Sequence, residues 1–364
     1  MLMFPYPGTA KSDLDTPALC LDIATVEANI RRMADYFKDS SVRLRPHSKT
    51  HKSPLLAHMQ LDAGAIGITC AKLGEAEVMA EAGIRDILIA NQIVGDAKIA
   101  RLVNLAAYTD VIVAVENLDN VKALSAAARH KAVTLNVVIE VDIGMGRCGT
   151  QPGEETLSLA RQIAELPGLH LRGLMGYEGH TVMIPDWNER KQKTLNDLAK
   201  LTATADLLRS EGIPVAIVSS GGTGTYDITG HVPGITELQV GSYITMDAQY
   251  HETVGIQFGY ALTVLATVIS VHGDRAVIDA GLKTMTRDFG MPKVMQPDGW
   301  EVAYLSEEHG ALKRIDGPAL TVGDKVEIIP NHGCTTINLH DYYHVIRDGR
   351  LEAMWPIAAR GKVR

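Results

Sequence analysis

The sequence predicts an α/β protein: a (β/α)8 TIM-type barrel followed by a C-terminal, mostly β domain. Three observations predict it. Eight short β-branched runs alternate with longer helical stretches between residues 42 and 240. Glycine and proline punctuate the joints, as at Gly64, Gly83, Gly212 and Pro214. Beyond about residue 256 the helical patterns fade and strand patterns take over.

The eight runs are 42–45, 65–69, 87–90, 111–115, 135–141, 169–175, 215–219 and 237–240. Between them lie stretches such as 73–82, 117–128, 154–165 and 189–209, rich in Ala, Leu, Glu, Lys and Arg, with apolar residues at helical spacing. Strand, helix, strand in repetition requires parallel strands joined by helical crossovers. A doubly wound open sheet is the competing arrangement, and a count that closes at eight favours the barrel. We expect the barrel over residues 24–255. Residues 256–364 form the second domain, with strands at 262–272, 275–279 and 325–329. Residues 17–22 read as a strand at the barrel edge or in the second domain. The second is expected, with residues 1–23 adding a strand there.

The chain has 364 residues, a formal charge of −8 and no block of basic residues, so nucleic acid and acidic membranes are not expected partners. Its four cysteines, Cys20, Cys70, Cys148 and Cys334, are widely spaced, which suggests no disulfide framework. The start MLMFPYPGTAKSDLD has no basic segment followed by a long apolar run, and no apolar stretch is long enough to span a bilayer. A cytoplasmic protein is the expectation.

In such a barrel the chemistry collects where the strands end. After the first run comes Pro46-His47-Ser48-Lys49-Thr50-His51-Lys52; after the fifth, Asp142 to Arg147; after the sixth, Tyr177-Glu178-Gly179-His180. After the seventh comes Ser219 to Thr225, and after the eighth Gly241-Ser242-Tyr243. The glycines of the seventh loop, flanked by Ser220 and Thr223, can turn N–H groups and hydroxyls toward an anion. The loops after strands seven and eight are where this barrel often binds phosphate, so Ser220, Gly222, Thr223, Gly224, Gly241, Ser242 and Tyr243 are candidate phosphate residues. A desolvated lysine past the first strand can form a Schiff base, and Lys49 with a phosphate cup on one face suggests pyridoxal phosphate. Lys52 reads as a solvated loop residue and His47 as structural, whereas His51 could carry a proton or touch substrate. Arg147 can hold a carboxylate or a cofactor oxygen. Tyr177 and His180 could transfer protons or position the cofactor. In an extended strand, residues two apart share a face, so His332 and Cys334 could reach one ion. A buried cysteine beside a satisfied histidine is the bland alternative.

With these residues in place, the sequence resembles the D-threonine aldolase and D-serine dehydratase family of alanine-racemase-like, fold type III pyridoxal-phosphate enzymes. The resemblance spans nearly the whole chain. It runs from Leu14-Asp15-Thr16-Pro17 through Arg45-Pro46-His47-Ser48-Lys49-Thr50-His51-Lys52, Gly144-Met145-Gly146-Arg147-Cys148-Gly149 and Ser220-Gly221-Gly222-Thr223-Gly224 to Trp355-Pro356-Ile357-Ala358-Ala359-Arg360-Gly361. It implies a Schiff-base lysine at Lys49, a homodimer, and a divalent metal held at His332 and Cys334, zinc or manganese. The catalytic set implied by position and resemblance is Lys49, His51, Arg147, Tyr177 and His180, with Arg147 and Tyr177 also binding the cofactor.

The expected reaction is cleavage of a D-β-hydroxy-α-amino acid to glycine and an aldehyde, as by a D-threonine aldolase. The alternative is a zinc-dependent D-serine dehydratase, giving pyruvate and ammonia. Cleavage of 3-hydroxy-D-aspartate is a third variant, and racemisation leaves the His332/Cys334 pair without a purpose. An alternative of another class is a non-catalytic pyridoxal-phosphate homeostasis protein. The extra C-terminal domain argues against that.

Overall fold

The computed structural model describes residues 5–364, so residues 1–4 of the N-terminal segment lie outside the described residues. The chain forms two compact units. One comprises Met33–Lys49, Ser53–Gly241 and Gly361–Arg364. The other comprises residues 5–32, Thr50–Lys52 and Ser242–Arg360.

The first strand, β1 (Ala18–Asp22), leads into α1 (Ile23–Tyr36). The barrel unit follows as β2 (Arg43–Leu44), α2 (Pro54–Asp62), β3 (Ile68–Cys70), α3 (Leu73–Glu81), β4 (Asp86–Gln92), α4 (Asp96–Ala106), β5 (Asp110–Val115) and α5 (Leu118–Lys131). It continues through β6 (Leu135–Glu140), α6 (Glu154–Ala164), β7 (Leu169–Met175), α7 (Trp187–Ser210), β8 (Ile217–Ser220), α8 (Tyr226–Thr229) and β9 (Glu237–Leu238). These eight strands pair in parallel in the order β2-β9-β8-β7-β6-β5-β4-β3. A parallel bridge between His47 and Thr69 joins β2 to β3 and closes the ring. The (β/α)8 barrel is therefore the architecture of this unit.

Local chemistry explains the pieces. β5 reads DVIVAV and buries all but its first residue, as a strand covered on both faces must. Alternate residues of successive strands, Leu88, Ile112, Ala114, Val138, Met175 and Ile217, form one core cluster. Side-chain caps start three of the described helices: Asp22 accepts from Thr25 N on α1, Asn117 from Asp119 N and Asn120 N on α5, and Asp186 from Glu189 N on α7. Each such cap is worth about 1 kcal/mol. The buried Arg45 ties the first and last strands together through Glu237 at 3.0 Å, and it also pairs with Asp86 beside the third.

The second unit is a mostly antiparallel sheet of β10 (Leu262–His272), β11 (Arg275–Ile278), β12 (Lys293–Gln296), β13 (Trp300–Leu305), β14 (Gly310–Arg314), β15 (Lys325–Ile329), β16 (Tyr342–Arg347) and β17 (Arg350–Pro356). The 17–22 segment belongs here: β1 runs antiparallel to β10 and parallel to β16. Leu14, Ala18, Cys20, Leu265, Ile346 and Leu351 form its core cluster.

Two local expectations are corrected. Residues 330–335 are not an extended strand. β15 ends at Ile329, Pro330 has no N–H to continue the ladder, and Gly333–Ile337 forms a short helix, α9, with His332 at its N-cap. Lys52 is not a solvated residue either. It is 8% exposed, its φ is 52°, and its carbonyl accepts from Ala359 N at 3.0 Å.

Candidate active site

The barrel unit gathers Lys49, Tyr177, Arg147 and the glycine-rich loop. Lys49 follows the His47 bridge, and its backbone N–H donates to His47 Nδ1 at 3.3 Å. Lys49 Nζ lies 5.9 Å from the centroid of the Tyr177 ring, and the Arg147 guanidinium carbon lies 6.0 Å from the same centroid. The far end of that ring abuts the loop: a Cβ on Gly222 would sit 3.1 Å from the Tyr177 hydroxyl. One aromatic ring therefore links the amine, the guanidinium and the loop.

The loop needs its glycines. Gly221 has φ +80°, and a Cβ on Gly224 would meet the Val182 carbonyl oxygen at 2.3 Å. Beneath the loop lies Glu178, a fully buried carboxylate that accepts from Ser220 Oγ, Gly221 N, Thr225 Oγ1 and Thr229 Oγ1.

Arg147 leaves a turn shaped by Asp142, whose Oδ1 accepts from Gly144 N and Gly146 N, each at 3.0 Å. The guanidinium lies 3.6 Å from Glu140. Burial raises the Glu140 carboxyl above its ordinary range, although Gln92 and Arg147 pull it down. Glu116, Glu140 and Cys148 bring ligand-type atoms within 4.8 Å of one another. Both carboxylates are already engaged. Gln92 Nε2 donates to both, Gly149 N donates to Glu116, and Arg147 pairs with Glu140.

His180 is exposed, with Nε2 2.9 Å from Asp197 Oδ2, whose other oxygen accepts from Lys200 at 2.8 Å. Gly241 closes the barrel unit's main segment and is buried.

The second unit contains His51, Ser242, Tyr243, His332 and Cys334. His51 is buried, and its carbonyl accepts from the Tyr343 hydroxyl at 2.7 Å. Tyr243 is buried with its ring edge-on to Phe258 at 5.7 Å. Ser242 Oγ lies 3.8 Å from Cys334 Sγ, and Cys334 donates to Thr50 Oγ1 at 3.3 Å. His332 and Cys334 are brought together by the turn into α9. His332 Nδ1 is 2.5 Å from Asp288 Oδ2, and its ring stacks on Phe289 at 4.1 Å. Burial lowers the His332 pKa, but Cys334 and Asp288 outweigh burial and push it up to about 9. A carboxylate on Nδ1 leaves Nε2 as the ligand atom, the arrangement that orients metal-binding histidines. The imidazole–thiolate pair thus suits zinc-type coordination. For pyridoxal phosphate, the amine, guanidinium and tight glycine cradle in the barrel unit likewise fit the group.

Sequence reasoning missed Glu178, Asp288, Asp247 and Glu140. Asp288 is 44 residues from His332, and no spacing rule connects them. Asp247 is buried, and its Oδ2 accepts the N–H of Gly333 at 3.2 Å. Glu178 stood within a quartet already marked, but a carboxylate beside an anion loop carried no obvious use.

Residues 21–249 match the family model described as alanine racemase, N-terminal domain, and residues 261–346 match the putative serine dehydratase domain. The chain belongs to this alanine-racemase-like family, the one that includes D-threonine aldolases and D-serine dehydratases. The alanine-racemase-like family is pyridoxal-phosphate dependent, and this chain is a lyase of its fold type III class. Among relatives in the family, D-threonine aldolase of Arthrobacter sp is 40% identical over 361 residues, covering 98% of this chain and 95% of that protein. 3-Hydroxy-D-aspartate aldolase of Paracoccus denitrificans (strain Pd 1222) is 38% identical over 367 residues, with the same coverage. The crystal structure of D-threonine aldolase from Filomicrobium marinum superposes with a TM-score of 0.96 at 37% identity, covering 99% of this chain and 100% of that one. No helix among the described residues is long and apolar enough to cross a membrane.

Proposed function

We propose that this lyase is a pyridoxal-phosphate- and divalent-metal-dependent D-threonine aldolase, cleaving D-β-hydroxy-α-amino acids to glycine and an aldehyde. The observation that carries the reading is the facing pair His332 and Cys334, with Asp288 on the far ring nitrogen. Racemisation has no use for such a donor set. The whole-length likeness to two aldolases supports the choice.

In this reading the cofactor belongs to the 24–255 barrel and the metal to the 256–364 domain. Lys49 holds the cofactor through its amino group. Arg147 faces an anionic oxygen of the cofactor or substrate, and Tyr177 sets the ring's position between Lys49 and the loop. The turn at Ser220, Gly222, Thr223 and Gly224, with Gly241, takes the phosphate, Thr223 and Gly224 donating to it while Ser220 and Gly222 hold the turn's shape. His51 and His180 are the proton carriers, His180 held by Asp197. When bound, the cofactor supplies an electron sink for bonds at the substrate Cα. An ion at His332 and Cys334, zinc or manganese, supplies Lewis-acid polarisation of the β-hydroxyl. A homodimer in the cytoplasm completes the proposal.

The second reading is a D-serine dehydratase, favoured by the serine dehydratase domain match over residues 261–346. Product analysis with D-threonine, pyridoxal phosphate and added zinc or manganese separates the two. Glycine plus acetaldehyde supports the aldolase. Ammonia plus 2-oxobutanoate overturns it in favour of the dehydratase, with D-serine the next substrate to test.

A further inference from the structure

Glu178 follows the ring-bearing Tyr177 directly at the end of β7, yet it faces away from solvent altogether. Its Oε2 accepts from Ser220 Oγ at 2.7 Å and from Gly221 N at 3.2 Å. Its Oε1 accepts from Thr225 Oγ1 at 2.7 Å and from Thr229 Oγ1 at 2.6 Å. A carboxylate offers about four accepting sites, and here all are taken. Burying an ionised carboxylate is costly unless it is hydrogen-bonded, and these bonds are of the stronger, charge-assisted kind.

All four donors come from residues 220–229, on both sides of the Gly222–Gly224 turn. Each hydroxyl has one proton. Ser220 and Thr225 spend theirs on Glu178, so elsewhere they present only lone pairs. Thr225 Oγ1 uses one to accept the N–H of Gly222 at 3.3 Å. Glu178, Thr225 and Gly222 thus form one hydrogen-bonded chain that sets the turn from beneath. A negative charge behind a loop that binds a phosphate adds nothing to the attraction; its contribution is geometric.

We infer that Glu178 is the positioning residue of the phosphate turn: it draws the protons of Ser220, Thr225 and Thr229 inward, so that Ser220 shapes the turn while Thr223 and Gly224 supply the donors to the phosphate. This rests on the proposed reading of the loop as the phosphate site. Glu178→Gln keeps a single accepting oxygen: with that oxygen on Gly221 N and Ser220, its NH2 meets the Thr225 and Thr229 hydroxyls, which must turn their protons away and so release the Thr225 contact to Gly222.

The test uses the full-length protein, stripped of cofactor and titrated separately with pyridoxal phosphate and with pyridoxal, which lacks only the phosphate. For Glu178→Gln, the Kd for pyridoxal phosphate rises at least about tenfold, equivalent to about 1.4 kcal/mol. The Kd for pyridoxal stays within about twofold, because Lys49, Arg147 and the Tyr177 ring are untouched. Thr229→Val removes a single buried donor and shows the same selective loss, smaller in size. It decides the matter if Glu178→Gln does not fold. A parent protein with strong preference for the phosphorylated ligand, and variants that keep that preference or weaken both ligands in parallel, overturns the role of Glu178 alone. A parent protein with no such preference overturns the phosphate reading of the loop, and the inference with it.

Discussion

Lys49 and Glu140 show how much a residue's surroundings decide. Lys49 is one of several lysines in the chain, and only its place past β2, facing the Tyr177 ring, distinguishes it. Lys49→Ala should lower glycine formation from D-threonine by more than about a thousandfold, since the proposed covalent anchor of the cofactor is removed. A variant retaining near-normal turnover removes Lys49 from the mechanism. Glu140 makes a different prediction, on stability. Its folded carboxyl is raised above the ordinary value of 4.5, with burial the largest cause. The folded state therefore binds this proton more tightly than the unfolded chain does. The stabilisation is fully present below pH 4.5 and is lost as the pH rises through the raised folded value. Glu140→Gln does not titrate, so its melting temperature relative to the parent should climb as the pH rises above 4.5. A difference that is flat across that range contradicts the assignment. The candidate residues Lys49, Arg147 and Tyr177 were legible because they stand next to strand ends, which periodicity locates. Glu178 and Asp288 were not, because their meaning lies in four loop donors and one distant imidazole.

Among elements, β7, β10 and β15 read most directly into structure: residues 169–175, 262–272 and 325–329 are expected, and Leu169–Met175, Leu262–His272 and Lys325–Ile329 are observed. Within β7, Gly173 lies against β8 with no room for a side chain. A Cβ there would lie 1.9 Å from the Ile217 carbonyl oxygen. Gly173→Ala should cost more than about 3 kcal/mol, because the clash is with backbone that cannot rotate away. The urea midpoint measures this, and a midpoint equal to the parent's shows that the two strands can part without loss. β7 also bulges against β6: consecutive Val137 and Val138 pair with Leu171 and Gly173, which leaves Arg172 as the extra residue. β12, β13, β14, β16 and β17 escaped the pattern reading because they are half-exposed, and polar residues interrupt their apolar runs. One signal was available: Asp348-Gly349, with φ 50° and 72°, is the two-residue turn joining β16 to β17. The segment after β15 failed for the opposite reason. Its pattern allowed a strand, but Pro330 stopped the ladder and the Gly333 N–H found Asp247.

For the molecule as a whole, the test is metal removal. Exhaustive chelation should abolish aldol cleavage, and added zinc or manganese should restore it, because the His332–Cys334 pair leaves coordination sites open to solvent or substrate. Activity that survives chelation removes the ion from the reaction. By itself the sequence determined the barrel, the presence of a mostly β second domain and where, at the strand ends, the candidate site residues stand. These follow from local periodicity and from parallel strands needing helical crossovers. The tertiary structure decided three things that no local rule reaches. It placed β1 between β10 and β16 by long-range pairing. It brought Asp288 to His332 across 44 residues. And it buried Glu178 beneath the glycine loop, where four donors from one segment offset the cost of desolvating a carboxylate. Periodicity reports which face of an element is buried; which polar group waits there is set by pairing between segments far apart in the chain.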